Sequence, residues 1–261
     1  MRNIHDLIAN EINELFKEKN KEGKPTYLKV IQTGDVLEIY EYEKMPKLPK
    51  KKIEERGLGY LDKYDEIEFD NSLTDRVNNQ HKSRNQFRRL ITANFDDKSK
   101  FITLTFKDNL KDVRTANKEF KKFIQKMRYR YGNFKYANVI QFQNRGAVHY
   151  HMMSDLPYIP HEKLMKIWGH GFVGINEINH VDNVGAYMMP YMSKDMNDTR
   201  LMGEKSYMTS KNLIRPVEIL GDEAEKLIKE LDLENKKTVY NSHYTTEHLG
   251  TALYRQFNLK R

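Results

Sequence analysis

The feature that most constrains the fold is the run YANVIQFQNRGAVHYHMM at residues 136–153. Two strand-like stretches flank Asn144-Arg145-Gly146, which suits a three-residue hairpin loop with its glycine in the left-handed region. Such a loop places Gln141 directly across from His149. His149 and His151 alternate on one strand, so they point to the same face as Gln141. A four-residue loop would turn Gln141 to the opposite face, so this prediction depends on the register.

Two imidazoles and one amide oxygen on a shared face can bind a divalent metal ion. We therefore predict His149, His151 and Gln141 as metal ligands, with Mn²⁺ or Mg²⁺ as the cofactor and water or phosphate oxygens in the open positions. Imidazole favours Mn²⁺ over Mg²⁺. The alternative is a pair of half-buried histidines that hydrogen-bond within the sheet.

A second candidate is VGAYMMPYMSKD at residues 184–195, which reads as a helix capped by Asp182 or Asn183. Spacings of four and three place Tyr187, Tyr191 and Lys194 on one helical face. A tyrosine hydroxyl needs help to attack phosphorus because its pKa lies near 10. A bound metal can polarise the phosphate and the lysine can neutralise its charge. The alternative is that both tyrosines pack against the sheet.

Pro190 lies inside this predicted helix. Proline lacks the backbone N–H and clashes with the carbonyl four residues earlier, which here belongs to Ala186. We therefore expect a kink or an early break at this position.

The charge of the chain favours an anionic partner. The 261 residues carry a formal charge of +8 and no cysteine, which excludes disulfides and thiol nucleophiles. Residues 107–135 hold ten Lys or Arg against three acidic residues, on what reads as the clearest helix of the chain. A solvated helix face is one reading, and an electrostatic guide for a phosphate backbone is the other. The predicted DNA contacts are Lys118, Lys121, Lys122, Lys126, Arg128, Arg145, Arg88 and Arg89.

The order of elements predicts an α+β fold with helices packed on an antiparallel sheet. We expect an N-terminal extension over residues 1–70 (a helix over 3–20, a β-hairpin and a basic linker at 44–52) that contacts DNA, and a central domain over 71–216. We expect residues 217–261 to pack on the same central domain. The N-terminus has no apolar signal core and no stretch suits a membrane span, so we expect a cytoplasmic protein of a bacterial host cell, without membrane contact.

Together the motifs resemble the HUH endonucleases, in particular the two-tyrosine initiators of rolling-circle replication in plasmids and small phages. FITLTF at 101–106 resembles their first motif, residues 141–151 the second, and Tyr187-x-x-x-Tyr191-x-x-Lys194 the third. WGHGFV at 168–173 and SYMTSKNLIRP at 206–216 also fit, so the likeness covers roughly residues 80–216.

The resemblance implies an RRM-like antiparallel sheet with the histidines on a central strand and the tyrosines on a facing helix. It implies an enzyme that nicks one strand at a replication origin, leaving a 5′-phosphotyrosine and a 3′ hydroxyl that primes synthesis. Tyr191 is the expected first nucleophile and Tyr187 the second. The implied partners are single-stranded DNA and the origin duplex, and a host helicase would unwind beyond the nick. The oligomeric state stays open.

Two departures from the family pattern stand out. Relatives commonly carry a carboxylate where Gln141 stands and a lysine where Pro190 stands. A transposase or mobilisation relaxase with the same chemistry is an alternative function, and so is a non-catalytic nucleic-acid-binding module on an RRM-like sheet. A two-histidine phosphoesterase is disfavoured because HYH lacks two separated H-x-[S/T] motifs.

Overall fold

The computed structural model describes residues 27–44, 73–179, 181, 183–195, 198–201, 203–246 and 249–260, with the side chains of 73–79 left out. The predicted helix over 3–20, most of the linker at 44–52 and Asp182 lie outside these residues. The chain divides into two compact units: Phe69–Arg215, the central unit, and Met1–Glu68 with Pro216–Arg261, the terminal unit.

The terminal unit contains a five-stranded antiparallel sheet of order β8-β1-β2-β10-β9 and one helix. Elements are numbered along the chain, and those of this unit are β1 Tyr27–Thr33, β2 Val36–Tyr42, β8 Val217–Leu220, α5 Gly221–Glu230, β9 Tyr240–Thr246 and β10 Gly250–Asn258. Val30, Ile39 and Phe257 of the sheet share a buried core with Ala224 and Ile228 of α5.

The C-terminal segment therefore differs from its prediction. We expected residues 217–261 to pack on the central domain, but β8 pairs with β1 and β10 pairs with β2 along its whole length. The reason is that a two-stranded hairpin leaves both edges unpaired and is marginal by itself. Sequence separation hides this pairing because the partners stand some 180 to 215 residues apart.

The central unit contains a second antiparallel sheet, of order β6-β3-β5-β4-β7. Its elements are α1 Leu73–Asn94, β3 Lys100–Thr105, α2 Val113–Tyr131, β4 Tyr136–Phe142, β5 Val148–Ser154, α3 His161–Trp168, β6 Val173–Glu177, α4 Val184–Lys194, a short 3-10 turn Thr199–Leu201 and β7 Tyr207–Thr209. From β3 to β6 the chain follows a β-α-β-β-α-β order. The predicted α+β class with helices on an antiparallel sheet is confirmed.

Helices cover both faces of this central sheet. Residues of one parity, such as Leu104, Ile140 and Tyr150, pack with α2 and α3. Residues of the other parity, such as Val139 and Met153, pack with α1 and α4. Because both sides are covered, β5 is buried along its whole length. The histidines have the second parity and so face α4.

Helix α2 forms as its sequence predicts. The Asp112 side chain accepts a hydrogen bond from the Thr115 backbone N–H at 2.8 Å, which caps the N-terminus. Gly132 ends the helix with φ of 77°, and its N–H donates to the Arg128 carbonyl. Between these caps, an apolar stripe that includes Phe120 and Met127 is buried against the sheet.

Helix α4 runs without interruption through Pro190, so the predicted early break is wrong. The Asn183 side chain caps the start by accepting from the Ala186 N–H at 2.9 Å. Pro190 and Ala186 are both exposed, so water can satisfy the carbonyl that the proline leaves without a donor. The proline therefore stands on the side of the helix where its cost is lowest.

Gly185 lets α4 approach α1 closely. A Cβ at this position would lie 2.3 Å from Thr92 Oγ1 and 3.1 Å from the Arg88 carbonyl oxygen. The threonine hydroxyl donates to that same carbonyl at 3.0 Å, which limits its freedom to move aside. Within the described ranges no helix is long and apolar enough to cross a membrane.

We expect Gly185→Ala to lower the free energy of unfolding by about 1–3 kcal/mol through overpacking, against a propensity gain of about 1 kcal/mol for an open helical site. Denaturant unfolding measures the change. Thr92→Ala in the same chain should recover part of the loss. Gly174→Ala is the control, because its Cβ would make only ordinary contacts. A stabilised Gly185→Ala variant would contradict the close approach.

Candidate active site on the histidine face

The β4–β5 hairpin has the register that the sequence predicts. Gln141 lies opposite His149, and Gly146 occupies the left-handed region with φ of 86°. The Gln143 N–H donates to the Ala147 carbonyl at 2.9 Å, which leaves a three-residue loop between them. The two predicted ligands on neighbouring strands therefore share one face.

Arg145 holds this loop in place. Its Nη1 donates to the Lys107 carbonyl at 3.0 Å, its Nη2 to the Phe106 carbonyl, and its Nε to Gln143 Oε1 at 2.9 Å. All three guanidinium nitrogens thus bond the protein itself. These contacts indicate a structural role, and the predicted DNA contact of Arg145 gains no support from them.

His151 is held between two aromatic rings. The Phe101 ring stacks on it at 5.3 Å between centroids, and the Tyr191 ring lies at 4.5 Å. Its Nδ1 lies 3.2 Å from Thr103 Oγ1, directly across the β3–β5 pair. Such a partner on one ring nitrogen orients the imidazole and leaves the other nitrogen, Nε2, for a ligand. Phe101 and Thr103 were not predicted, although the alternation of FITLTF places both on this face.

His149 carries a polar atom without a partner. The residue is 8% exposed, its ring lies 4.8 Å from that of His151, and its Nδ1 is buried without a hydrogen bond from any described residue. A buried orphan nitrogen calls for a water or an ion. The donor set therefore fits a metal ion.

Both imidazoles are held neutral. Burial lowers the pKa of His149, and the nearby Lys194 ammonium lowers it further. Burial, His149 and Lys194 together lower the pKa of His151 to about 3. Neutral imidazole is the form that binds metals, so at neutral pH both side chains are ready to act as ligands.

Gln141 connects the histidine face to the tyrosine helix. The side chain is 3% exposed, and its Nε2 donates to the backbone carbonyl of Tyr191 at 2.7 Å. That carbonyl is one of the last four of α4, which have no partner within a helix. The amide nitrogen therefore caps α4, and the amide oxygen remains as the atom that can bind a metal. The sequence did not reveal this capping role.

The two tyrosines lie together on this face, as predicted. Their ring centroids are 5.8 Å apart, and Tyr187 meets Phe101 edge-on at 5.3 Å. Burial, followed by a hydrogen bond with Tyr191, raises the pKa of Tyr187 to about 12. Tyr187 is therefore held in its protonated form, and of the two rings that of Tyr191 lies against His151.

Opposite charges meet at the end of α4. Lys194 is exposed in the last turn and close enough to both histidines to lower each pKa. Asp195 accepts from the Phe142 N–H at 3.0 Å, and its carboxylate acts on His149 in the opposite direction. In the part of the chain described, no three histidine or acidic side chains are grouped to hold a metal. A metal here would therefore depend on the Gln141 oxygen.

The predicted DNA-binding residues of α2 do not reach the tyrosines. Helix α2 packs on the opposite face of the sheet from α4, with its basic side chains exposed on the outer side. These residues are Lys118, Lys121, Lys122, Lys126 and Arg128. Arg88 and Arg89 lie on α1, which packs beside α4 on the tyrosine side.

Residues 99–196 match the family model of the replication-associated protein ORF2. The match extends from the residue before β3 to just beyond α4, so it includes both histidines, both tyrosines and the residues between them. No curated protein and no solved structure matches the chain. The family match supports a role in DNA replication.

Gln141→Glu tests the capping bond. Without a divalent ion, we expect the variant to lose about 1–3 kcal/mol of stability, because a carboxylate oxygen would face the Tyr191 carbonyl in place of an amide N–H. Mn²⁺ should stabilise this variant more than the parent, since a carboxylate is the stronger ligand. Thermal unfolding with and without Mn²⁺ measures both effects. Gln125→Glu, on the exposed face of α2, is the control. Unchanged stability without metal would disprove the cap.

Proposed function

We propose that this protein is a replication initiator that nicks one DNA strand at a rolling-circle origin and later rejoins strands. The observation that carries the proposal is the packing of a tyrosine pair on a two-histidine sheet face, with the Tyr191 ring 4.5 Å from His151. The match to a replication-associated family over the same residues supports it.

The reaction is a transfer of a phosphoryl group between two hydroxyls. The phenolic oxygen attacks phosphorus, the bond from phosphorus to the 3′ oxygen breaks, and the tyrosine becomes linked to the 5′ phosphate. The phenolic proton leaves to solvent, and the released 3′ oxygen gains a proton and serves as the primer. Rejoining reverses the same exchange, so no external energy source is consumed.

Tyr191 acts first and Tyr187 second in this proposal. Tyr191 lies against His151, whereas Tyr187 contacts Phe101 and keeps its proton because its pKa is raised to about 12. The second tyrosine would serve the strand transfer that ends a round.

The remaining side chains position and neutralise. His149, His151 and the Gln141 oxygen would hold Mn²⁺ or Mg²⁺, which when bound polarises the scissile phosphate. Thr103 fixes the His151 ring, and Gln141 fixes the backbone of Tyr191. Lys194, one turn beyond Tyr191, places a positive charge where phosphoryl oxygens would lie.

A non-catalytic RRM-like binding module is disfavoured by the fold. Such a module presents stacking aromatics on an open sheet face. Both faces of the central sheet pack against helices instead. A transposase or relaxase would use the same chemistry, and the replication-associated match favours the initiator.

A covalent adduct tests the proposal. The probe is a pool of single-stranded oligonucleotides with a randomised centre and a label at the 3′ end, because the tyrosine retains the segment 3′ of the nick. With Mn²⁺, the protein should acquire label that survives denaturation. Tyr191→Phe should abolish it, as should His149→Ala, whereas Tyr129→Phe, a change at a residue that is 90% exposed, should not. No adduct with any divalent metal, or full labelling of a Tyr187→Phe/Tyr191→Phe variant, would refute the proposal.

Thr103→Val tests the orientation of His151. Removing the hydroxyl partner of the Nδ1 atom should weaken Mn²⁺ binding by about 10- to 100-fold, as loss of an outer-shell partner does elsewhere. Isothermal titration with Mn²⁺ gives the affinity. Thr105→Val is the matched control, because this hydroxyl on the same strand donates to the Phe172 carbonyl instead. Equal affinities for the two variants would remove Thr103 from the account.

A further inference from the structure

A polar cavity lies at the β7 edge of the central sheet, away from the tyrosines. It measures about 390 Å³ and opens to solvent between the C-terminal end of α2 and the residues that follow β7. The lining residues are Arg128, Asn133, Tyr136, Thr209, Lys211 and Asn212. Each of these side chains carries a hydrogen-bonding group.

The charge of the cavity is positive. Arg128 and Lys211 are both exposed, and no carboxylate is part of the lining. Among the described residues, neither cation has a carboxylate within ion-pair distance, unlike Lys122, which pairs with Glu119 on the same helix. Two cations without counter-charges in a concave polar site favour an anion.

The walls of the cavity are fixed by backbone bonds. Tyr136 and Ser210 exchange two hydrogen bonds, from the Tyr136 N–H to Ser210 Oγ at 3.0 Å and from the Ser210 N–H to the Tyr136 carbonyl at 2.9 Å. The Gly132 N–H bonds the Arg128 carbonyl at 2.9 Å, which ends α2 at the rim. The site is therefore preformed, which lowers the entropic cost of binding.

Asn212 adds a second kind of recognition. Its Oδ1 is buried and has no hydrogen-bond partner in the described structure. This atom accepts hydrogen bonds only, so it suits the amino group of a nucleobase and not a phosphate oxygen. Cations and a buried acceptor together match a nucleotide, which carries an anionic phosphate and a base edge.

We propose that this cavity binds one nucleotide of a DNA strand, with Arg128 and Lys211 on the phosphate and Asn212 on the base. The inference rests on the proposed function and adds a DNA contact outside the tyrosine site. The basic outer side of α2 leads to the cavity through Lys126. On the other side, Leu213 packs in the cluster that holds α4, and Ile214 exchanges two hydrogen bonds with Asn94 at the end of α1.

The cavity therefore lies where the basic layer and the tyrosine layer meet. A strand that follows α2 and is held here would pass around the β7 edge toward the tyrosine side. This explains how basic residues on the far face of the sheet can serve a site on the other face.

Removing the two cations tests the proposal. We expect Arg128→Ala/Lys211→Ala to bind labelled oligothymidylate about tenfold more weakly, and the slope of log K against log salt to fall by about 0.7, as for the loss of one phosphate contact on a single strand. Adduct formation at saturating DNA should equal that of the parent. Lys98→Ala/Lys166→Ala, which removes the same charge from exposed sites in the same unit, is the control.

The outcomes separate the two proposals. If both double variants weaken binding equally, the effect is one of net charge and the cavity is not a site. Binding by the parent without any adduct would overturn the proposed function and leave the cavity supported by its own variants. No binding of single-stranded DNA by the parent would overturn both.

A cross-link provides a second measurement that does not depend on affinity. The chain has no cysteine, so Lys211→Cys introduces a unique thiol. Oligonucleotides with a thiol tethered to one backbone phosphate should form a disulfide with this variant faster than with Lys98→Cys. Equal rates for the two variants would overturn the assignment of the cavity.

Discussion

The pairing register of β4 and β5 is the constraint on which the rest of the central unit depends. Gly146 closes a three-residue loop with φ of 86°, and this fixes Gln141 opposite His149. A shift by one residue would reverse both faces of β4, bury its polar side chains against α2 and expose its apolar ones to α4. The same register places Gln141 where its amide reaches the end of α4, so one loop sets both the ligand face and the position of the tyrosine helix.

The sheet separates two tasks by its faces. On one side, α1 and α4 cover the histidines, with Gly185 allowing the two helices to approach closely. On the other side, α2 presents most of the local positive charge to solvent. Gln141 is the mechanical link on the first side, because it bonds the backbone of Tyr191 while its oxygen faces the histidine site. The amide at this position, where relatives commonly carry a carboxylate, is therefore suited to two roles that a carboxylate could not combine, since only an amide nitrogen can donate to a carbonyl.

Local rules explain why much of this was predictable. Glycine in a short loop, alternation on strands and the spacing of Tyr187 and Tyr191 on a helix each act over a few residues, and the structure has them as predicted. The misses involve partners distant in sequence. The pairing of β10 with β2 and the position of α2 across the sheet from α4 depend on which faces meet. Pro190 was misjudged because its cost depends on exposure, which the sequence does not give.

The central claim is that a tyrosine of α4 becomes joined to DNA, and mapping the linked residue tests it most directly. Residues 167–194 contain no Lys or Arg before Lys194 and only two of the 16 tyrosines, so trypsin releases Tyr187 and Tyr191 on one peptide. After reaction with single-stranded DNA and nuclease digestion, mass spectrometry should find the nucleotide on this peptide, with fragmentation placing it on Tyr191 in the first nick. A nucleotide on any of the other 14 tyrosines, or on a residue other than tyrosine, would contradict the account.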